Sequence, residues 1–169
     1  MKSRLKRDFF LMMEKSVIMT LIESISEIAD ACVARVNGFL VDVNIRGEKG
    51  SSVIEIYVDT DNGITADECA QVSRAIALEL DQRSLIAGRY RLEVSSPGLD
   101  RPMKSVRQYR KNVGRRVSII PAAPGENAPV EGTLQTVTEA AVTVKTKDKG
   151  ERIFAVNDIR EARVLPQFK

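Results

Sequence analysis

Residues Leu92–Met103 read LEVSSPGLDRPM, and the division of the chain turns on them. Leu92 and Val94 alternate with Glu93 and Ser95, which is the period of a half-buried strand. The strand pattern then breaks at Pro97-Gly98. Proline presets the second position of a turn, and glycine accepts the positive φ that a type II turn needs next. Ser96 and Arg101 each precede a proline, so both are pushed toward extended backbone. The segment Ser96, Pro97, Gly98, Leu99, Asp100, Arg101 and Pro102 is therefore expected to be a short, stiff joint.

Charge changes sign at the same place. Residues 1–16 hold five basic and two acidic residues, residues 17–100 seven and fourteen, and residues 101–169 fourteen and seven. The whole chain nets +3. Opposed halves suit a basic module that meets a polyanion and an acidic module that meets something basic. The competing explanation is solubility plus a favourable contact between domains. The expected division is an extension over 1–16, an acidic α/β domain over 17–100 and a basic domain over 101–169.

The 169 residues are 43% hydrophobic and 29% charged, ordinary values for a chain with a real core. Aromatics are only 5% and there is no Trp, so the core must be aliphatic. No apolar run approaches the length of a membrane span. The FFLMM block is too short for the core of a signal peptide, and a cytoplasmic protein is expected. Cys32 and Cys69 fall on apolar faces of helices, where small buried thiols are the simpler reading than a disulfide or metal pair. The chain has no histidine. That removes the commonest general base and transition-metal ligand.

Ahead of the joint the pattern reads α-β-β-α-β. Ser16 can cap a helix in which Ile18, Leu21, Ile22, Ile25, Ile28, Ala29 and Cys32 share a face. Residues 1–16 extend that helix or form a tail. Val41, Val43 and Ile45 alternate with polar residues, and 53–58 is a second strand, so a hairpin follows. Gly47–Gly50 spells GxxG, but it joins two strands rather than the two helices of a KH motif. The DTDNG run at 59–63 lacks the spacing of a calcium loop and reads as a strand-to-helix connection. Thr65 and Glu68 form a capping box. Cys69, Val72, Ile76 and Leu80 then mark the buried face of the second helix. Two layers, with both helices on one face of a small sheet, bury these faces most simply.

Past the joint, Ser105 caps a short helix with Val106, Tyr109 and Val113 as its apolar stripe. Five short strands and one helical turn at 157–159 follow, separated by PAAPGENAP and DKGE. The expected fold class is α+β, with a small, strongly bent barrel of Sm-like or SH3-like kind at the C-terminus. PAAPGENAP is expected to be an exposed loop.

No nucleophile elbow, phosphate loop or metalloprotease motif is present, so an enzyme is not expected. The positive signal is basic. Arg101, Lys104, Arg107, Arg110, Lys111, Arg115 and Arg116 place seven cations within sixteen residues. Such a cluster neutralises phosphate, and arginine does so with a bidentate fork. Tyr109 is the only aromatic nearby, so base stacking is not its mode. A solvated basic helix face is the plain alternative.

Several stretches resemble the bacterial ribosome maturation factor family RimP. EVSSPGLDRPM and QYRKNVGRRVSI resemble its joint and the start of its barrel. IYVDTDNGITADECAQVSRAIALELD is similar to its second strand, GIT loop and second helix. LVDVN matches its first strand and NDIREARVLPQF its ending. These landmarks run in order over residues 20–168. Met103 stands where leucine is usual and Tyr109 where phenylalanine is frequent.

The resemblance implies an N-terminal α/β domain and an Sm-like barrel. It also implies a cytoplasmic, non-enzymatic factor without cofactor that binds the immature small (30S) ribosomal subunit. Its implied partners are 16S ribosomal RNA and a basic small-subunit protein near the decoding centre, the twelfth of the standard series. A monomer without membrane contact is expected. The alternative is a general module for structured RNA.

Overall fold

The computed structural model describes residues 2–48, 51–99, 101–123, 128–148 and 150–166; for 2–11, 14, 15 and 48 it describes backbone alone. The chain is a mixed α+β protein that separates into two compact units, Met1–Ser96 and Pro97–Lys169.

The first unit opens with helix α1, Lys2–Val33. Ser16 is not the cap that the sequence reading expects. The helix runs through it, and its carbonyl accepts a hydrogen bond from Thr20 Oγ1 at 3.0 Å. Nothing in residues 2–15 breaks a helix, so the segment continues α1. The buried stripe also starts later than expected. Ile18 is exposed and Leu21 only partly buried; Ile25, Ile28, Ala29, Cys32 and Val33 carry the burial. Asn37 ends the helical stretch in left-handed backbone at φ 55°, which asparagine tolerates.

Strands β1 (Phe39–Glu48) and β2 (Ser51–Asp59) form the expected antiparallel hairpin. Lys49 and Gly50 of its GxxG loop lie outside the described residues. The register slips between Leu40 and Asp42, which makes Val41 the extra residue of a bulge. Leu40, Val43 and Ile45 therefore pack toward the core. Helix α2 (Ala66–Arg83) and strand β3 (Arg89–Ser95) complete the unit. The capping box forms as expected: Glu68 N–H donates to Thr65 Oγ1 at 3.2 Å, and Thr65 N–H donates to Glu68 Oε2 at 2.8 Å. These bonds hold the Glu68 carboxyl below its ordinary value. DTDNG makes the connection into α2, with the Asp59 carboxylate accepting from the Thr60 N–H at 2.9 Å.

The sheet order is β1-β2-β3, with β3 parallel to β2. Ile54, Ile56 and Val58 of β2 are fully buried among Ile25, Ile28 and Val33 of α1 and Val72, Ile76 and Leu80 of α2. The alternate residues of the strands, Asn44, Arg46, Glu55 and Glu93, form polar contacts with each other instead.

The second unit holds helix α3 (Val106–Lys111) and strands β4 (Arg116–Pro121), β5 (Val130–Val137), β6 (Ala141–Thr146), β7 (Gly150–Ala155) and β8 (Ile159–Val164). The strands form one antiparallel sheet in the order β7-β6-β5-β4-β8. The expected closed barrel is not found: among the described residues no ladder joins the edges β7 and β8. A 3-10 turn at Val156–Asp158 turns the chain at a corner, and β8 pairs with β4 instead of the strand it follows.

That corner still bends the sheet strongly. Ala155 and Ile159 are four residues apart, a reach of at most about 14 Å. The edges of a flat five-stranded sheet would lie about 19 Å apart. The strands curl around Val117, Ile119, Leu134, Val142, Val144 and Phe154. Residues 124–127 of the PAAPGENAP loop lie outside the described residues.

Candidate functional site

The basic run is organised by α3. Ser105 caps the helix by accepting from the Gln108 N–H, and the Gln108 side chain accepts from the backbone of Lys104 and Ser105 at 2.7 and 3.0 Å. Gln108 and Tyr109 are buried. Successive helical residues turn by about 100°, so Arg107, Arg110 and Lys111 share an arc of about 100° that faces away from these two. Helical spacing thus converts a basic stretch of sequence into a one-sided basic surface.

The far end of the joint anchors this helix. Met103 N–H donates to the Ala162 carbonyl of β8 at 2.7 Å. The Met103 side chain is buried, and Asn112 Nδ2 reaches both its sulfur and the Gln108 carbonyl. Tyr109 fills the core between α3 and the sheet, and burial pushes its phenol up to about 12. Val113 does not continue the apolar stripe. The helix ends at Lys111, and Val113 is exposed in the turn that follows.

The seven expected contact residues are not equivalent. Arg107, Arg110 and Lys111 lie on α3, and Lys104 just before its cap. Arg110 pairs with Glu139 at 2.6 Å, and Arg116 on β4 pairs with Glu131 at 3.0 Å. Arg115 donates to Asn112 Oδ1 at 3.1 Å, which fixes it beside the end of α3. Both ion pairs are exposed, so each is a weak restraint that a phosphate can displace. Arg101 is half-buried within the joint.

The joint turns at Gly98 and Leu99, one residue later than the Pro97-Gly98 turn expected from sequence, and only the positive φ of Gly98 is as expected. Gly98 sits at φ +63°, and a side chain there would meet nothing within 4 Å. Ser96, Gly98 and Leu99 are exposed, and Pro97 and Pro102 are half-buried. Asp100 lies outside the described residues.

The sequence reading passed over a second group of cations. Lys145 at the end of β6, Lys147 in the turn after it and Arg152 on β7 line a groove of about 480 Å³ together with Arg116. These residues are far from 101–116 in sequence; strand register brings Lys145 into one row with Arg116, and Lys147 and Arg152 line the same groove. Among the described residues no group of three or more carboxylates and cysteines is placed to hold a metal. No helix among them is long and apolar enough to cross a membrane.

Residues 28–100 match the family model described as the RimP N-terminal domain. The match begins inside α1, spans the whole β1-β2-α2-β3 arrangement and ends in the joint.

Proposed function

Since this chain belongs to the RimP family through residues 28–100, we propose that it is a maturation factor for the small (30S) ribosomal subunit. It binds the immature particle in the cytoplasm, without cofactor or catalysis, and leaves once 16S ribosomal RNA and late-joining proteins have settled. The strongly bent five-stranded sheet of its second unit is read as Sm-like in kind, without closure between β7 and β8, a reading supported by the three-residue corner between those strands.

The observation that carries the proposal, beside family membership, is the cationic arc of Arg107, Arg110 and Lys111 on α3. The helix is pinned by buried Tyr109, Gln108 and Met103. The cations therefore stand on a rigid support and not on a loose tail. Such an arc suits the phosphates of a folded ribosomal particle. The acidic composition of residues 17–100 suits something basic. The proposed protein partner is the twelfth small-subunit protein, which the family resemblance implies is met largely through the second unit. The protein acts as a monomer.

The test is sedimentation of the tagged protein through a gradient. It is expected in the free small-subunit fractions and absent from translating ribosomes. Equal association with both pools would overturn the proposal.

A further inference from the structure

We propose that the groove between Arg116, Lys145, Lys147 and Arg152 is an RNA-binding site that takes the phosphodiester backbone, separate from the arc on α3. It rests on the reading that the protein works on an RNA-containing particle.

Strand register builds this site. Arg116 on β4 pairs with Thr133 on β5, which pairs with Lys145 on β6. Paired residues share a sheet face, so these three form one row across three strands. Two strand spacings put Arg116 and Lys145 about 10 Å apart at Cα. Thr133 stands between them with a hydroxyl that can donate to a phosphate oxygen. Lys147 follows in the turn after β6, exposed like Lys145.

Arg152 lines the groove from β7, although it pairs with Val144 on the other sheet face; the β7 residue opposite Lys145 is Glu151. The Arg152 guanidinium lies 5.1 Å from the centre of the Phe154 ring, a cation–π contact that fixes the head group. Glu131 holds Arg116 from one side at 3.0 Å. Four cations and two carboxylates, Glu131 and Asp148, line the groove, so its net charge favours an anion.

The form of the site selects among anions. The groove is open, with cations on β4, β6, the turn after β6 and β7, which suits a continuous chain of phosphates. Phe154 is buried beneath Arg152, and no aromatic among the described residues lines the groove to stack on a base. Recognition is therefore of backbone and shape, not of sequence. Arg116 also ends the basic run that begins at Arg101, so one polyanion can continue from the α3 arc into the groove.

The experiment uses the full chain and a fluorescein-labelled fragment of a 16S ribosomal RNA helix, followed by anisotropy across a series of potassium chloride concentrations. The Lys145→Ala/Lys147→Ala variant should lower the slope of log affinity against log salt by about 2, because two phosphate contacts no longer release counterions. Affinity at fixed salt should fall on the order of tenfold. The Lys145→Arg/Lys147→Arg variant should bind as the parent does. Circular dichroism and melting of each variant show that the fold is intact.

An unchanged slope, or a parent that ignores the naked helix, overturns the site. Equal loss of binding to poly-glutamate would make it an acidic-peptide site and also overturn it. Gradient sedimentation separates the two readings. A parent that travels with free subunits but ignores naked RNA removes the groove alone. A parent that binds RNA through the groove but spreads over all ribosomal fractions removes the maturation reading alone.

Discussion

Glu55 and Glu93 stand directly opposite one another on the neighbouring parallel strands β2 and β3. Like charges in that position repel and weaken a sheet. Arg46 on β1 offsets the repulsion, with Nε 2.8 Å from Glu55 and a second nitrogen 3.6 Å from Glu93. Arg91 takes the other Glu93 oxygen at 2.7 Å. Three strands are thus tied by charges on the face away from the helices. Arg46→Ala is expected to lower stability slightly in dilute buffer, with the difference shrinking as salt screens the carboxylates. Adding Glu55→Gln should restore most of the loss. Urea titrations of both variants at two ionic strengths check this.

Tyr109 offers a cleaner separation of packing from polarity. Its hydroxyl reaches the Met103 carbonyl only at 3.5 Å, the outer limit of a hydrogen bond. Tyr109→Phe should therefore cost less than about 1 kcal/mol. Tyr109→Ala should cost about 3–5 kcal/mol, because it empties the space between α3 and the sheet. The phenol is raised, so the folded state holds its proton longer than the unfolded state does. That stability is full below about pH 10 and is lost as pH rises toward about 12. The phenylalanine variant should lack this part of the alkaline loss, as denaturant midpoints across that range would show.

Glu68 predicts the opposite pH behaviour. Its carboxyl is lowered by the bonds from Thr65. The stabilisation is present above the ordinary glutamate value of about 4.3 and is lost as pH falls through the lowered folded value. Thermal midpoints of the parent should fall more steeply than those of Glu68→Gln over this acid range. Parallel curves would show that the capping box adds no pH dependence.

Gly132 is set by space. A Cβ there would lie 2.4 Å from the Lys145 backbone carbonyl and 2.5 Å from Val144 Cγ1. The carbonyl belongs to the neighbouring strand and cannot swing away. Gly132→Ala should therefore destabilise by about 1–3 kcal/mol, read from a chemical unfolding midpoint. Gly98→Ala meets no atom, and its smaller expected cost comes from the positive φ alone.

The α3 arc predicts a functional loss without unfolding. Arg107→Glu/Lys111→Glu should reduce co-sedimentation with free small subunits on the order of tenfold, since each reversed charge meets phosphate with repulsion. The melting temperature should move little, because the buried residues of α3 are Gln108 and Tyr109. An unchanged gradient profile would remove α3 from the interface.

Local chemistry made much of this architecture legible. The Thr65–Glu68 box, the Ser105 cap, the hairpin and the 3-10 corner near Asn157 all depend on residues a few positions apart. What lay hidden depends on partners distant in sequence. Nothing in residues 89–95 says that β3 will run parallel to β2. The bulge at Val41 leaves an apolar alternation intact while changing which residue points inward. Ser16 looks like a cap because serine suits one, yet a helix with no breaker before it simply continues. The candidate site follows the same rule: Lys145 joins Arg116 only through cross-strand register, and Lys147 and Arg152 only through the fold, while the run at 101–116 is visible because it is contiguous.

The pairing of β4 with β8 has a consequence for synthesis. The first strand of the C-terminal unit waits for its last, and the Met103 amide before α3 waits for Ala162. Closing this distance in sequence is entropically slow, so the unit assembles late and as a whole. While the chain is still emerging, β4 has one flank unpaired and the apolar residues Val117 and Ile119 have an incomplete cover. A chain that stops short of Val164 loses more than an edge strand: it loses the partner that lets the basic helix stand on a finished core.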